Sequence, residues 1–303
     1  MAKIELKVCP LCGGDEKESF AQKGDRQILR CKSCGLAYVD AQPGPDDLYV
    51  LYNERYFESE EFRGNTCIGY YAYVDERPLL LEHFGKKLNF IKNFKKKGRI
   101  LDIGCGHGFF LEVAEKGRFE AKGVDVSSYA VEYAKKHGLD ASLGALSEAK
   151  FPDSSFDVVT IFETIEHFPN PLTELKEVFR ILKPDGLVLI TTPNENGYLR
   201  KFMRKNLFTY RHQEHLYFFS PKTMRNLLQR VGFEKIEFMP DQVRTYPLKH
   251  LLGGVKYYFK NPVLNKLANL AGAAPGPLRQ LRVPFPLDTL VVYAFKPKGD
   301  RLE

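Results

Sequence analysis

Arg99–Asp125, RILDIGCGHGFFLEVAEKGRFEAKGVD, is the stretch on which the fold turns. An apolar strand (Ile100, Leu101, Ile103) runs into Gly104-Cys105-Gly106-His107-Gly108, an apolar helix follows, and a second strand closes on Val124-Asp125. Glycines let the turn after the first strand approach a ligand closely, and an acid ending the second strand can accept hydrogen bonds from ribose hydroxyls. A ligand with an adenosine moiety fits. The dinucleotide fingerprint GxGxxG would need a glycine at 109, where the chain has Phe109. Asp102, two residues before Gly104, would repel a pyrophosphate but suits a cationic amino-acid tail.

Outward from that stretch, short apolar strands alternate with amphipathic helices, the signature of an α/β fold with a parallel sheet covered on both faces. The spacing predicts strands at Ile100–Ile103, Ala121–Val124, near Ala141–Leu143, and at Phe156–Phe162, Leu187–Thr192, Phe233–Met239 and Thr289–Phe295. Ser127 or Ser128 caps a helix that Gly138 stops, and Ser220-Pro221 opens another that ends at Gly232. The expected architecture is a Rossmann-like, seven-stranded sheet with its last strand antiparallel. Residues 242–286, rich in Pro, Gly, Lys and aromatics, form an insert longer than a plain connection.

The N-terminus reads differently. Cys9, Cys12, Cys31 and Cys34 stand in CPLCG and CKSCG, a spacing that brings four thiolates to one tetrahedral Zn²⁺; a redox pair is the competing reading. Residues 1–42 are therefore expected to be a zinc ribbon with a structural or docking role. Residues 43–98 follow as an aromatic-rich linker and helical lid, with Tyr49, Tyr52, Tyr56, Phe57, Phe62, Tyr70, Tyr71 and Tyr73 ahead of a helix over 76–93. These aromatics serve either as ordinary packing or as cover over a pocket. Residues 99–303 make the third region, which contains the insert.

Length and composition bound the rest. The 303 residues, 44% of them apolar, can bury a sizeable core, and no run approaches the roughly 18 apolar residues a membrane span needs. With no apolar leader after MAKIELKVCPLC, the expected compartment is the cytoplasm. The net charge of +7 is uneven: residues 196–303 hold 19 Lys and Arg against 7 Asp and Glu. Such a basic third suits a phosphate-bearing substrate, an anionic membrane surface or nucleic acid, or is simply a solvated face.

Four blocks carry a family resemblance: Leu101–Gly108, Val124-Asp125, Ser155-Phe156-Asp157-Val158-Val159 and Leu182-Lys183-Pro184-Asp185-Gly186. In order and spacing they resemble the motifs of class I S-adenosylmethionine-dependent methyltransferases. By that resemblance Asp102, Gly104, Cys105 and Gly106 line the methionine end of S-adenosylmethionine, and Asp125 holds the ribose hydroxyls. Val126, Ala145, Leu146 and Phe162 complete the cofactor set. Many members carry an acid near 145 that contacts the adenine amine; here the residue is Ala145, and the backbone at Ala145–Leu146 is expected to serve instead.

Phe162-Glu163-Thr164-Ile165-Glu166-His167 leaves the carboxyl end of the fourth strand, where open α/β sheets bind ligands. On a helix starting there, Glu163, Glu166 and His167 would share one face. This ExxEH pattern resembles those of the ubiquinone-pathway O-methyltransferases and the small-RNA terminal 2′-O-methyltransferases. The second group adds a histidine that Arg211-His212-Gln213-Glu214-His215 would supply as His215. The resemblance implies a second divalent site (Mg²⁺, Mn²⁺ or Zn²⁺) from Glu163, Glu166, His167 and His215. The alternative is a metal-free pocket with His167, aided by Glu166, as catalytic base.

The function expected from these readings is methyl transfer to a hydroxyl of a sugar, glycan or other small-molecule acceptor. The alternatives are RNA 2′-O-methylation, C- or N-methylation of a nucleotide-linked sugar, and a non-enzymatic interaction protein. In a further variant the insert lays Leu251, Leu252, Tyr257, Tyr258 and Phe259 on a membrane to reach a lipid-linked acceptor.

Overall fold

The computed structural model describes residues 3–44, 47, 49–57, 73, 74, 76–203, 210, 213–240, 244–247, 266, 281–285 and 288–299. One compact unit comprises Met1–Pro240 with Thr289–Glu303, and a second comprises Asp241–Asp288. Of the second unit, Arg244–Pro247 pairs antiparallel with Arg282–Phe285. Leu251, Leu252, Tyr257, Tyr258, Phe259, Phe62, Tyr70, Tyr71 and His212 lie outside the described residues.

The first unit is built on seven strands: β1 (Gly98–Ile103), β2 (Phe119–Asp125), β3 (Ala141–Leu143), β4 (Phe156–Phe162), β5 (Leu182–Pro193), β6 (Glu234–Met239) and β7 (Thr289–Phe295). Their spatial order is β6-β7-β5-β4-β1-β2-β3. β7 runs antiparallel to both neighbours, β5 and β6, as the sequence leads one to expect. β5 begins five residues earlier than the spacing predicts, because Leu182 already pairs with Phe156 before the register shifts at Leu187.

Both sheet faces are covered, and alternate residues show it. Leu101, Val159 and Val188 pack with the helices Pro171–Ile181 and Pro221–Val231, whereas their chain neighbours Ile100, Val158 and Leu187 pack with Arg77–Ile91, Phe109–Lys116 and Ser128–Lys136. The helix ends follow their capping residues. The Ser127 hydroxyl accepts from Ala130 N, the Asn170 amide oxygen from Thr173 N, and Ser220 from Thr223 N.

Inside the same unit, Lys17–Lys23, Arg26–Cys31 and Ala37–Val39 form the ribbon's sheet, and its fourth strand, Tyr217–Phe218, comes from the far side of the chain. Tyr217 pairs with Tyr38 and Phe218 with Ala37, and Val39 N donates to Leu216 O. Arg30 reaches the buried Glu195 at 2.8 Å, Arg26 donates to His215 O, and Arg230 to Leu11 O. Among the described residues no helix is long and apolar enough to cross a membrane.

Candidate active site

The carboxyl ends of β1, β2 and β4 open onto one cavity, where parallel α/β sheets place their ligands. Asp102, Gly104, Cys105, Gly106, Asp125, Val126, Ala145, Leu146 and Phe162 all line it, as do Glu163 and His167; Glu166 and His215 are buried and are not part of the lining. Gly104 turns in the left-handed region at φ 73°, and a Cβ there would lie 2.4 Å from the Thr164 hydroxyl, so only glycine fits. The Cys105 side chain turns away into the core, where its Sγ would stand 2.5 Å from a Cβ on Gly123; burial holds the thiol protonated.

Two acids shape the floor. Asp102 is buried, accepts from the Thr160 hydroxyl at 2.7 Å, and is pushed up to about 7 by burial against the pull of that hydrogen bond. A cationic amine beside it would restore its charge. Asp125 accepts from Gly106 N at 2.7 Å and from Ser127 N at 2.8 Å, one bond per carboxylate oxygen. Each oxygen keeps acceptor capacity for a ribose hydroxyl, although burial raises its pKa. A ribose carrying a cationic amino-acid tail therefore matches these two acids.

The roof is aromatic. Tyr49, Tyr52, Tyr56, Phe57 and Tyr73 line the cavity, so the aromatics of residues 43–98 that are described cover a pocket as well as packing. Phe57 and Tyr73 pack edge-on or tilted against His107, and Tyr73 stacks on Phe109 at 5.3 Å. The position that excluded a dinucleotide loop thus holds a ring that seats the lid. Arg77 pins the lid helix by two bonds to Glu112, at 2.9 and 2.7 Å.

Beyond β4 the expected helix does not form. Glu163 sits at φ 49°, and only a short 3₁₀ turn follows, Ile165–His167. Glu163 N is drawn to Thr191 O at 2.9 Å, an extension of the sheet that competes with a helical start. Consequently Glu163 falls outside the group formed by Glu166, His167 and His215, whose ligand atoms lie within 4.8 Å of one another. Glu166 is buried, accepts from the Thr192 hydroxyl at 2.8 Å, and is raised far above the carboxylate range by burial and by Glu163 nearby.

His167 is held by a contact that sequence reasoning missed. The Tyr52 hydroxyl lies 2.7 Å from its Nδ1, and Glu166 Oε1 is 3.7 Å from its Nε2. Tyr52 is 115 positions away in a segment already crowded with tyrosines, so nothing local marked it. Thr160 and Thr192 were hidden for a similar reason, as they read simply as strand residues.

At the ribbon, Cys9, Cys12, Cys31 and Cys34 come together, with Cys9–Cys34 at 3.6 Å and Cys12–Cys31 at 3.5 Å. A tetrahedral zinc at about 2.3 Å from each sulfur needs a sulfur–sulfur spacing of about 3.8 Å, so the four thiols fit a structural zinc.

This sheet order, with a glycine turn between two acids at its switch point, defines a class I S-adenosylmethionine-dependent methyltransferase. The chain belongs to the methyltransferase domain family, whose model matches residues 73–237, more than half of it. A ubiquinone biosynthesis O-methyltransferase of Neisseria meningitidis is 28% identical over 159 residues, covering 45% of this chain and 63% of that protein. One of the same description from Alkalilimnicola ehrlichii is 32% identical over 129 residues, covering 40% and 51%. The chain thus spans between half and two thirds of these relatives. Among solved structures, an S-adenosylmethionine-dependent methyltransferase of Archaeoglobus fulgidus shares the fold with a TM-score of 0.52 and 21% identity, covering 75% of this chain and all of that one.

Proposed function

We propose that this chain transfers a methyl group from S-adenosylmethionine to a hydroxyl of a flat, partly aromatic small molecule. The observation that carries this reading is the Tyr52–His167 pair, 2.7 Å apart, under an aromatic roof beside the glycine turn. When bound, the cofactor supplies an electrophilic methyl on a sulfonium. The chain's own task is to hold the acceptor oxygen in line and take its proton. Tyr52 and His167 are the proton-accepting pair at the cavity wall, and the Glu166 carboxyl beside Nε2 orients the imidazole.

The acceptor class follows from the lining. Among the described residues no Lys or Arg faces the cavity, which disfavours RNA and lipid-linked phosphates as acceptors. Tyr49, Tyr52, Tyr56, Phe84 and Phe162 offer ring faces and edges to a phenolic secondary product, whereas a sugar or glycan would present mainly its CH faces. The names of the curated relatives, O-methyltransferases of ubiquinone biosynthesis, point the same way.

The test is a labelled-methyl assay over phenols, catechols, free and nucleotide-linked sugars, and RNA. Transfer to a phenolic hydroxyl is expected, falling by about 10²- to 10⁴-fold in His167→Ala. Transfer confined to sugars or RNA, or undiminished turnover in the variant, contradicts the proposal.

A second reading has its own observation, the close approach of Glu166, His167 and His215. One oxygen and two nitrogen donors suit a divalent cation with positions left open for an acceptor hydroxyl. Activity lost to a chelator and restored by Mg²⁺, Mn²⁺ or Zn²⁺ supports this arrangement; chelator-resistant activity leaves Tyr52–His167 alone as the base.

A further inference from the structure

The expected contact to the adenine amine lacks its acid, because position 145 is alanine. The backbone carbonyls there are already engaged: Ala145 O accepts from Glu148 N at 3.1 Å and Leu146 O from Ala149 N at 3.2 Å, in the turn after β3. An amine acceptor must come from elsewhere on the wall of the nucleoside pocket.

We propose that Glu174, reaching in from the helix Pro171–Ile181, is the residue that reads the adenine amine of the cofactor. Glu174 lines the same cavity as Val126, Gly144, Ala145 and Leu146, the residues at the carboxyl ends of β2 and β3. The helix is set there by its own sequence: Asn170 caps it, Pro171 opens it, and Glu174 N closes the first turn onto Asn170 O. Leu175 and Val178 anchor the helix in the core, and Glu174, one turn before Val178, lines the cavity at the edge of that face.

Chemistry singles out this carboxyl. Asp125 faces the ribose hydroxyls and Asp102 the amino-acid tail, Glu148 is bonded to Ala145 N, and Glu163 and Glu166 stand on the turn after β4. Among the described residues Glu174 has no cation and no hydrogen-bond donor for its carboxyl. Burial, with Glu177 and Glu148 close by, pushes it up to about 7, the mark of a desolvated acid without a counter-charge. An exocyclic amine is a neutral donor that satisfies such a group without an added charge, and a charge-assisted bond of this kind is among the stronger single contacts. The pocket would then distinguish a 6-amino purine from a 6-oxo purine. At a pH above about 7 the former donates to the Glu174 carboxylate, whereas the latter sets a carbonyl oxygen against it.

This inference rests on the cofactor assignment, and its test separates the two. Calorimetry compares S-adenosylhomocysteine with its deaminated analogue, S-inosylhomocysteine, on the full chain. The native protein should bind the adenosyl compound at least about tenfold more tightly. Glu174→Ala should weaken it by about tenfold and leave the inosyl compound nearly unchanged. In Glu174→Gln the preference should shrink towards parity, because an amide can accept from the amine or donate to the carbonyl. Equal binding of both compounds by the native protein, or an unaltered preference in both variants, overturns the role of Glu174 while the cofactor assignment stands. Failure of the native protein to bind either compound overturns the assignment as well. Position 174 is only half-buried, and thermal melting of each variant within a few degrees of the native chain confirms that a loss of binding is local.

Discussion

The two ends of the cavity are built in opposite ways. The cofactor end is local: Asp102, Gly104, Gly106 and Asp125 lie within one strand-turn-helix-strand unit, and most of their bonds close inside it. The acceptor end is assembled from afar. Tyr52 comes from the lid, Glu166 and His167 from the turn after β4, and His215 from the segment that runs into the ribbon's fourth strand. Leu216 joins these parts, donating its N–H to Glu166 O and accepting from Val39 N of the ribbon. The cofactor end can therefore sit on a self-contained motif. The acceptor end depends instead on contacts between segments far apart in the chain.

This contrast can be broken by experiment, and the largest effect should come from the glycine turn. Gly104→Ala puts a Cβ into Thr164 at a left-handed φ, and cofactor binding should become undetectable by calorimetry, with a thermal midpoint lowered by several degrees. Retained micromolar binding would show the turn to be more forgiving than its geometry.

Next comes the metal. Metal analysis should find about one zinc per chain, lost in the double variant Cys9→Ser with Cys31→Ser. Hydrogen exchange should then rise at residues 214–219, while the affinity for S-adenosylhomocysteine changes by less than about threefold. A comparable collapse of cofactor affinity would mean that the two ends are not independent.

A smaller effect should appear with pH. Burial pushes Asp102 up to about 7, and a cationic amine beside it favours its ionised form. Cofactor binding therefore lowers its pKa, and affinity should rise as the pH is raised from about 6 to about 8, by at most tenfold per unit. Asp102→Asn should bind more weakly and with a shallower slope; an unchanged slope would remove Asp102 from the amine contact. The smallest effect belongs to the lid clamp. Arg77 and Glu112 are partly exposed, so Arg77→Ala should cost under about 1 kcal/mol in a denaturant titration.

The same division governs what the sequence discloses. Strand period, glycine turns and caps are local, so the sheet with its antiparallel last strand could be read from residue spacing and family resemblance. The thiol cluster was equally legible, since two CxxC pairs constrain each other. Two features were not. The helix expected from Glu163 gave way to sheet pairing with Thr191, a partner 28 residues on. The Tyr52–His167 contact and the strand exchange between Tyr217 and Tyr38 depend on how distant segments fold back, which no local pattern encodes. Glu174 is the intermediate case: the helical spacing of Leu172, Leu175, Val178 and Phe179 marks its helix, but no local pattern marks the cavity it faces.

The central claim is that the turn between Asp102 and Asp125 holds S-adenosylmethionine. It is tested most directly by titrating S-adenosylhomocysteine into the native chain and into Asp125→Ala. One site per chain is expected, weakened by at least about tenfold in the variant, where the ribose hydroxyls lose their acceptor. Native protein that does not bind, or a variant that binds as tightly as the native chain, would contradict the account.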